Sequence, residues 1–204
     1  NEPSGEIREH SLLSKPNVAI ITSVSKAHMQ FFKDLSEITL AKSEIFDGLA
    51  KDGVAIVNSD IEHLSIIKRT YKKNCDGSFI TIGRKAADWS LNDIQVNNDS
   101  ICVTANHNDF NFNFKLNSLG EHFAINALAT LAAVNIVTGN FTTAIKSLNS
   151  WLPPSGRGEH IIVKLNNGNP NLYFDLIDDS YNSNPTSLKA GLILINFIKK
   201  YKNL

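Results

Sequence analysis

Lys42 follows Ile38 by four residues and precedes Ile45 by three, in a stretch whose apolar residues (Ile38, Ala41, Ile45, Leu49) recur at helical intervals. Residues three and four apart share a helix face, so this ammonium projects at the edge of the apolar stripe and should be partly buried. Two chemistries fit that placement. The stem covers core surface while the head snorkels to water, or desolvation lowers the pKa and leaves an amine able to react, or to hold phosphate. His28 follows the segment Asn17 to Thr22 (NVAIIT). The C-terminal edge of a parallel strand opens into the crevice that ligands use, so His28 is either a site residue or a plain surface histidine. Asp178 and Asp179 open the run DDSYNSNP, which ends at Pro185. Two adjacent carboxylates there could hold a magnesium ion or a pair of sugar hydroxyls. Capping alone explains the end of the run, with Asn184 as N-cap and Pro185 at the first helical position. Arg157, next to Gly156 and just past Pro153-Pro154, could reach a phosphate across a cleft or stay solvated. Asn126 sits in an apolar stretch between Gly120 and Gly139. A buried amide there needs partners, either a ligand such as a nucleobase edge or a neighbouring backbone.

The elements that must position these residues follow from pattern. Asn17 to Thr22 reads as a buried strand after the break at Lys15-Pro16. Asp34-Leu-Ser-Glu37 has capping-box spacing and starts a helix expected to run to a stop at Gly53, and Val54 to Val57 (VAIV) then gives a second strand. Strand, helix, strand in that compass is a βαβ crossover in a parallel sheet. A further helix is expected from about Asp60 to Lys72. From Phe79 to Leu116 short alternating segments separated by Asn- and Asp-rich turns predict an antiparallel excursion. Gly120 to Gly139 predicts a nearly buried helix and Phe141 to Trp151 a second one. Pro153 to Gly158 is the most linker-like stretch. After it come strands at His160 to Leu165 and Asn171 to Ile177, then a helix from about Pro185 to Lys200. The expected architecture is α/β, with residues 1–153 in one domain and 154–204 opening another.

Composition bounds the function. The 204 residues are 42% hydrophobic and 20% charged, with 20 basic and 20 acidic side chains, so a core can be buried and no net field draws the chain to nucleic acid or an anionic membrane. Two cysteines, Cys75 and Cys102, make neither a disulfide framework nor a metal cluster and fit a reducing cytoplasm. No apolar run approaches the roughly 20 residues that cross a bilayer. No G-x-x-x-x-G-K-[ST] phosphate loop, G-x-G-x-x-G fingerprint, G-x-S-x-G elbow or H-E-x-x-H pair occurs.

The order and spacing of these residues resemble the Mur ligases, and among them the MurF branch. Asn1 to Ile7 (NEPSGEI) is similar to N-x-x-G-E-I, His28-Met29 to H-[LM]-[DE], Ala41 to Leu49 (AKSEIFDGL) to A-K-G-E-I-F-x-G-L, and Asn58-Ser59-Asp60 to N-A-D. Gly120 to Ala127 (GEHFAINA) is similar to G-x-H-N-x-x-N-A, and Asp178 to Pro185 to D-D-S-Y-N-A-N-P. AKSEIF and DDSYNSNP are the matches specific to the MurF branch. Gln30 stands where the family has an acid, Lys33 and Ser43 where it has Gly, and Phe123 where it usually has Asn.

The resemblance implies the latter half of a Mur ligase central ATPase domain followed by the start of a Rossmann-like C-terminal domain, with the UDP-sugar-gripping domain and the phosphate-loop half lying outside this sequence. It implies a monomeric, cytoplasmic ligase using ATP and Mg2+ to join D-alanyl-D-alanine to UDP-N-acetylmuramoyl-tripeptide through an acyl phosphate. It implies, too, that the sequence is inactive by itself. By the same resemblance His28 is a magnesium ligand or its neighbour, and Lys42 is the lysine that becomes a metal-holding carbamate. Asn126 becomes an adenine contact, Arg157 a γ-phosphate contact, and Asp179 a ribose or hinge carboxylate. A MurE-like or folylpolyglutamate synthetase-like ligase, or a non-catalytic remnant or split-gene piece that binds a partner polypeptide, are the alternatives.

Overall fold

The computed structural model describes residues 5–25, 32–84, 86–97, 99–165 and 173–181, with helical positions at 188, 189, 191, 192 and 195. Six strands form one sheet in chain order: β1 (Val18–Ile21), β2 (Val54–Asn58), β3 (Phe79–Gly83), β4 (Trp89–Val96), β5 (Ile101–His107) and β6 (Phe110–Leu116). β1, β2, β3 and β4 pair in parallel, while β4, β5 and β6 form an antiparallel meander. The antiparallel excursion is thus part of the main sheet and starts later than expected. β3 looks like the first strand of a hairpin by sequence, yet it pairs in parallel with both neighbours.

The β3–β4 seam is short, with only Ile82 opposite Trp89 and Gly83 opposite Ser90. Asp88 closes it by accepting from the Thr81 backbone N–H at 2.7 Å and from Thr81 Oγ1 at 2.6 Å. The two faces of the sheet carry separate apolar clusters, Ile56 of β2 falling in one and its neighbours Ala55 and Val57 in the other. The larger one joins the meander to α4 (Glu121–Thr138) and α5 (Thr142–Leu148) around Trp89, Val103, Leu128 and Leu131. The smaller one gathers Phe46, Val57, Ile67 and Tyr71 beneath β1 and β2, with α3 (Leu64–Asn74) supplying the last two. By length and composition alone α4 could cross a bilayer, but Ala124, Leu128, Leu131 and Ala132 are buried against the sheet, the pattern of a core helix.

The helix carrying Lys42, α2 (Leu35–Ser43), starts as its sequence demands: Asp34 is the N-cap and its carboxylate accepts from the Glu37 N–H at 3.0 Å. The reciprocal bond comes from one residue earlier than in a standard box, Lys33 N–H donating to Glu37 Oε2 at 2.8 Å. α2 ends sooner than expected. A 3-10 turn (Glu44–Asp47) takes over and Gly48, not Gly53, ends it, because α1 (Glu6–Ser14) crosses there. A Cβ on Gly48 would lie 2.1 Å from the Ser11 carbonyl carbon. α1 itself was not legible in the sequence. α3 begins four residues after the expected start at Asp60.

Two further strands, β7 (Glu159–Lys164) and β8 (Tyr173–Asp178), form a separate antiparallel pair, as the sequence predicts. The Asn-Gly turn between them and Asn182 to Pro185 lie outside the described residues, as does most of the expected helix after Pro185.

Candidate functional site

The ends of the parallel strands are tied to one another by side chains. Asn58, at the end of β2, donates through Nδ2 to the Thr22 carbonyl at 2.9 Å and accepts through Oδ1 from the Asp60 N–H at 2.9 Å. Asp60 in turn accepts from the Arg84 N–H at 3.0 Å. Gly83 has φ 146°, and a Cβ there would meet Ser59 Oγ at 2.6 Å, so only glycine lets β3 approach this turn. Arg84 continues the chain of contacts through its guanidinium, 3.4 Å from Glu121 at the start of α4. The C-terminal edge of the sheet, where ligands of open α/β folds bind, is therefore joined to the N-terminus of α4. The Asn58-Ser59-Asp60 motif was visible in the sequence, but its partners Arg84 and Glu121 were not. Arg84 lies in no motif and Glu121 stands at the variable position of GEHFAINA, so only the topology brings them in.

His122 and Asn126 stand one helical turn apart on the outer side of α4. Asn126 is exposed, against the expectation of a buried amide. α4 is apolar on one side only, and its solvent face runs through His122, Asn126 and Thr130. Asn126 needs no internal partner and presents its amide outward. Phe123 accounts for its own departure from the family pattern: it is buried and packs on Trp151, ring centroids 5.0 Å apart. The surrounding protein pushes the His122 pKa down by desolvation, and the Asp179 carboxylate pulls it back up. Asp179, beyond the Pro-Pro stretch, is thus near enough for its charge to act on His122 at the start of α4.

Arg157 is exposed on the loop after Pro154, and its guanidinium lies 4.2 Å from the centre of the Tyr181 ring. Asp178 and Asp179 divide their work. Asp178 closes its own turn, accepting from the Ser180 N–H at 3.1 Å, and the Ser180 hydroxyl and N–H hold its pKa below the usual carboxylate value. Asp179 is half-buried and free of that turn. Lys42 is half-buried on α2, and burial alone lowers its pKa. Ser43, where the family has glycine, is fully buried with its hydroxyl donating to the Thr39 carbonyl at 2.7 Å. His28 and Gln30 lie outside the described residues.

With this geometry in view, the family model that matches residues 3–134 is the Mur ligase middle domain. The chain belongs to the Mur ligase family. Among curated relatives, the UDP-N-acetylmuramoyl-tripeptide–D-alanyl-D-alanine ligase of Haemophilus influenzae is 32% identical over 187 residues, covering 92% of this chain and 38% of the relative. The UDP-N-acetylmuramoyl-L-alanyl-D-glutamate–2,6-diaminopimelate ligase of Rickettsia typhi is 30% identical over 194 residues, covering 92% of this chain and 36% of the relative. In three dimensions, a crystal structure of MurF from Acinetobacter baumannii superposes with a TM-score of 0.82 at 27% identity, covering 95% of this chain and 40% of that one. This Mur ligase chain thus spans about two fifths of the length of the relatives it matches. The superposition reaches beyond residues 3–134 to β7 and β8, since it covers 95% of the chain.

Proposed function

We propose that this chain supplies the adenine-side, lysine-bearing part of an ATP-dependent amide ligase of the MurF kind, which joins D-alanyl-D-alanine to UDP-N-acetylmuramoyl-tripeptide. The observation that carries the proposal is Lys42: half-buried on a capped helix, with a pKa lowered by burial alone, at the position where the Mur ligases keep a reactive lysine. A lowered pKa raises the share of neutral amine at neutral pH. The neutral amine adds to carbon dioxide and gives up a proton, which turns the position from cationic to anionic.

The remaining residues fit a nucleotide by the chemistry of their donors. The exposed Asn126 amide suits an adenine edge, the Asp179 carboxylate suits ribose hydroxyls, and the exposed Arg157 guanidinium suits a phosphate oxyanion. Among the described residues no three His, Cys, Asp or Glu side chains gather to hold a metal. The fit to magnesium therefore rests on the Lys42 carbamate with His28. Bound ATP and magnesium would supply the activating phosphoryl group and its charge neutralisation. This chain's part is to orient the nucleotide at the sheet edge and to place an anion at position 42. The same reading makes the ligase a monomer of the cytoplasm, where ATP and UDP-linked substrates are found, with residues 1–153 and 154–204 as separate domains.

The test is made in an enzyme that carries this segment together with a phosphate loop. Lys42→Ala should lower turnover by at least 100-fold, roughly the scale of losing one preorganised electrostatic group, with partial rescue by added short carboxylic acids. Lys42→Arg should stay inactive, since guanidinium cannot be carboxylated. Near-normal turnover of Lys42→Arg would mean that the lysine is a positive charge or a packing stem. A second reading is favoured by the comparable identity to a diaminopimelate-adding relative. Offering the same enzyme D-alanyl-D-alanine or diaminopimelate as the amine decides between them, and DDSYNSNP favours the dipeptide.

A further inference from the structure

The loop that carries Arg157 closes on itself and is fastened at two points to the end of β8 and the residues just past it. Arg157 N–H donates to the Pro154 carbonyl at 3.1 Å, Gly158 N–H to the Asp178 carbonyl at 2.7 Å, and Tyr181 N–H to the Gly156 carbonyl at 3.0 Å. Gly156 and Gly158 flank the arginine in left-handed conformations, φ 75° and 76°, and a Cβ on Gly156 would stand 3.2 Å from the Tyr181 backbone nitrogen. The Arg157 backbone is therefore fixed. Its head group is not, because an exposed arginine keeps several rotatable bonds between backbone and guanidinium.

Tyr181 supplies the hold that the backbone cannot. Its ring faces the guanidinium at 4.2 Å, inside the range of about 6 Å where a cation is attracted to an aromatic face. The ring is 66% exposed, so its placement is not explained by a need to be buried. Stacking also differs from salt-bridging in what it leaves over. A carboxylate partner would occupy the in-plane N–H donors, whereas a ring face holds the cation and leaves them unspent. Among the described residues Arg157 enters no ion pair.

We propose that Tyr181 is a positioning residue, whose ring orders the Arg157 guanidinium in advance so that its in-plane donors meet an oxyanion of the phosphate class. This rests on the reading of Arg157 as a phosphate contact given above. It adds the group that makes a long, exposed side chain usable, by removing part of the ordering cost at the moment of binding.

The experiment uses the 204-residue chain, with inorganic tripolyphosphate as probe, and two readouts. In a proton–nitrogen correlation spectrum the Arg157 Nε–H should be shifted upfield by the ring current, unchanged in Tyr181→Phe and lost in Tyr181→Leu. Tripolyphosphate affinity, followed by phosphorus NMR, should fall about two- to fivefold in Tyr181→Leu, the scale of one exposed cation–π contact, and match wild type in Tyr181→Phe. Arg157→Ala should lose more. If Arg157→Ala weakens binding but Tyr181→Leu changes neither readout, the positioning role is wrong and the phosphate role of Arg157 stands. If Arg157→Ala binds as wild type does, or wild type does not bind at all, the phosphate role fails and the positioning proposal with it.

Discussion

The His122 imidazole is pulled in two directions, by desolvation toward the neutral form and by Asp179 toward the cation, and desolvation prevails. The folded chain thus binds this proton more weakly than the unfolded chain, whose histidine titrates near the ordinary value of 6.5. Its contribution to stability is present above pH 6.5 and is lost as acidification charges the ring, and it is small because the side chain also faces water. The carboxyls of Asp34 and Asp178, lowered from the ordinary aspartate value of 3.8, act only further down the scale. Thermal unfolding midpoints should therefore drop between pH 7.5 and about 5.5 in the wild-type chain and drop less in His122→Gln. Equal drops would place the acid sensitivity in another group. For Asn126, one turn along the same helix, the crowd of Ala, Leu and Val in sequence predicts burial, yet it is exposed. Composition reports how apolar a helix is but not which residues sit on its one polar stripe.

At the scale of elements, legibility tracked how much of an element's stability is local. α2 could be read from Asp34 and Glu37 because a cap is a contact within four residues. α1 could not: Leu12 and Leu13 are 49% and 83% exposed, so it shows no apolar stripe. What holds it is polar and distant in sequence. Arg8 reaches Asp47 at 2.6 Å, and the Gly5 N–H donates to Glu44 at 2.9 Å. Gly48 lets the two segments touch. Gly48→Ala must push backbone from backbone, since the new carbon would lie 2.1 Å from Ser11. It should destabilise by about 3 kcal/mol, the upper end for overpacking. Denaturant midpoints measure the loss, and amide exchange should locate it in α1 and the 3-10 turn. A cost below about 0.5 kcal/mol, the range of ordinary surface substitutions, would mean that α1 docks more loosely than the contact implies. The parallel pairing of β3 was equally hidden. Its residues alternate like those of a hairpin strand, and only β2 and β4 decide the direction.

Across the whole molecule, apolar surface is unevenly covered. The six-stranded sheet buries its central residues completely, Ile56, Ile82 and Val103 among them. On β7 and β8, by contrast, Ile162, Phe174 and Leu176 are 55%, 45% and 42% exposed, as are Leu192 and Ile195 beyond them at 54% and 40%. Local opening costs least where few apolar contacts must break. Amides of β7 and β8 should therefore exchange faster than those of β2, β3 and β5 in the 204-residue chain. Equal protection would sink the inference and imply that the second sheet finds a cover in solution.

The seam between β3 and β4, two residue pairs long, bears on how the chain acquires this shape. On one side of it strands are neighbours in sequence and close by short turns, whereas on the other each pairing waits for an intervening helix. Loop-closure entropy favours the first kind of contact early. The meander with α4 should form the nucleus, and β1 and β2 should dock on it afterwards. Shortening a side chain in the meander, as in Val103→Ala, should chiefly slow refolding. Phe46→Leu, in the other cluster, should chiefly hasten unfolding. Stopped-flow chevrons showing the reverse assignment would mean that the crossovers form before the hairpins, and that the short seam is where the meander arrives rather than where it begins.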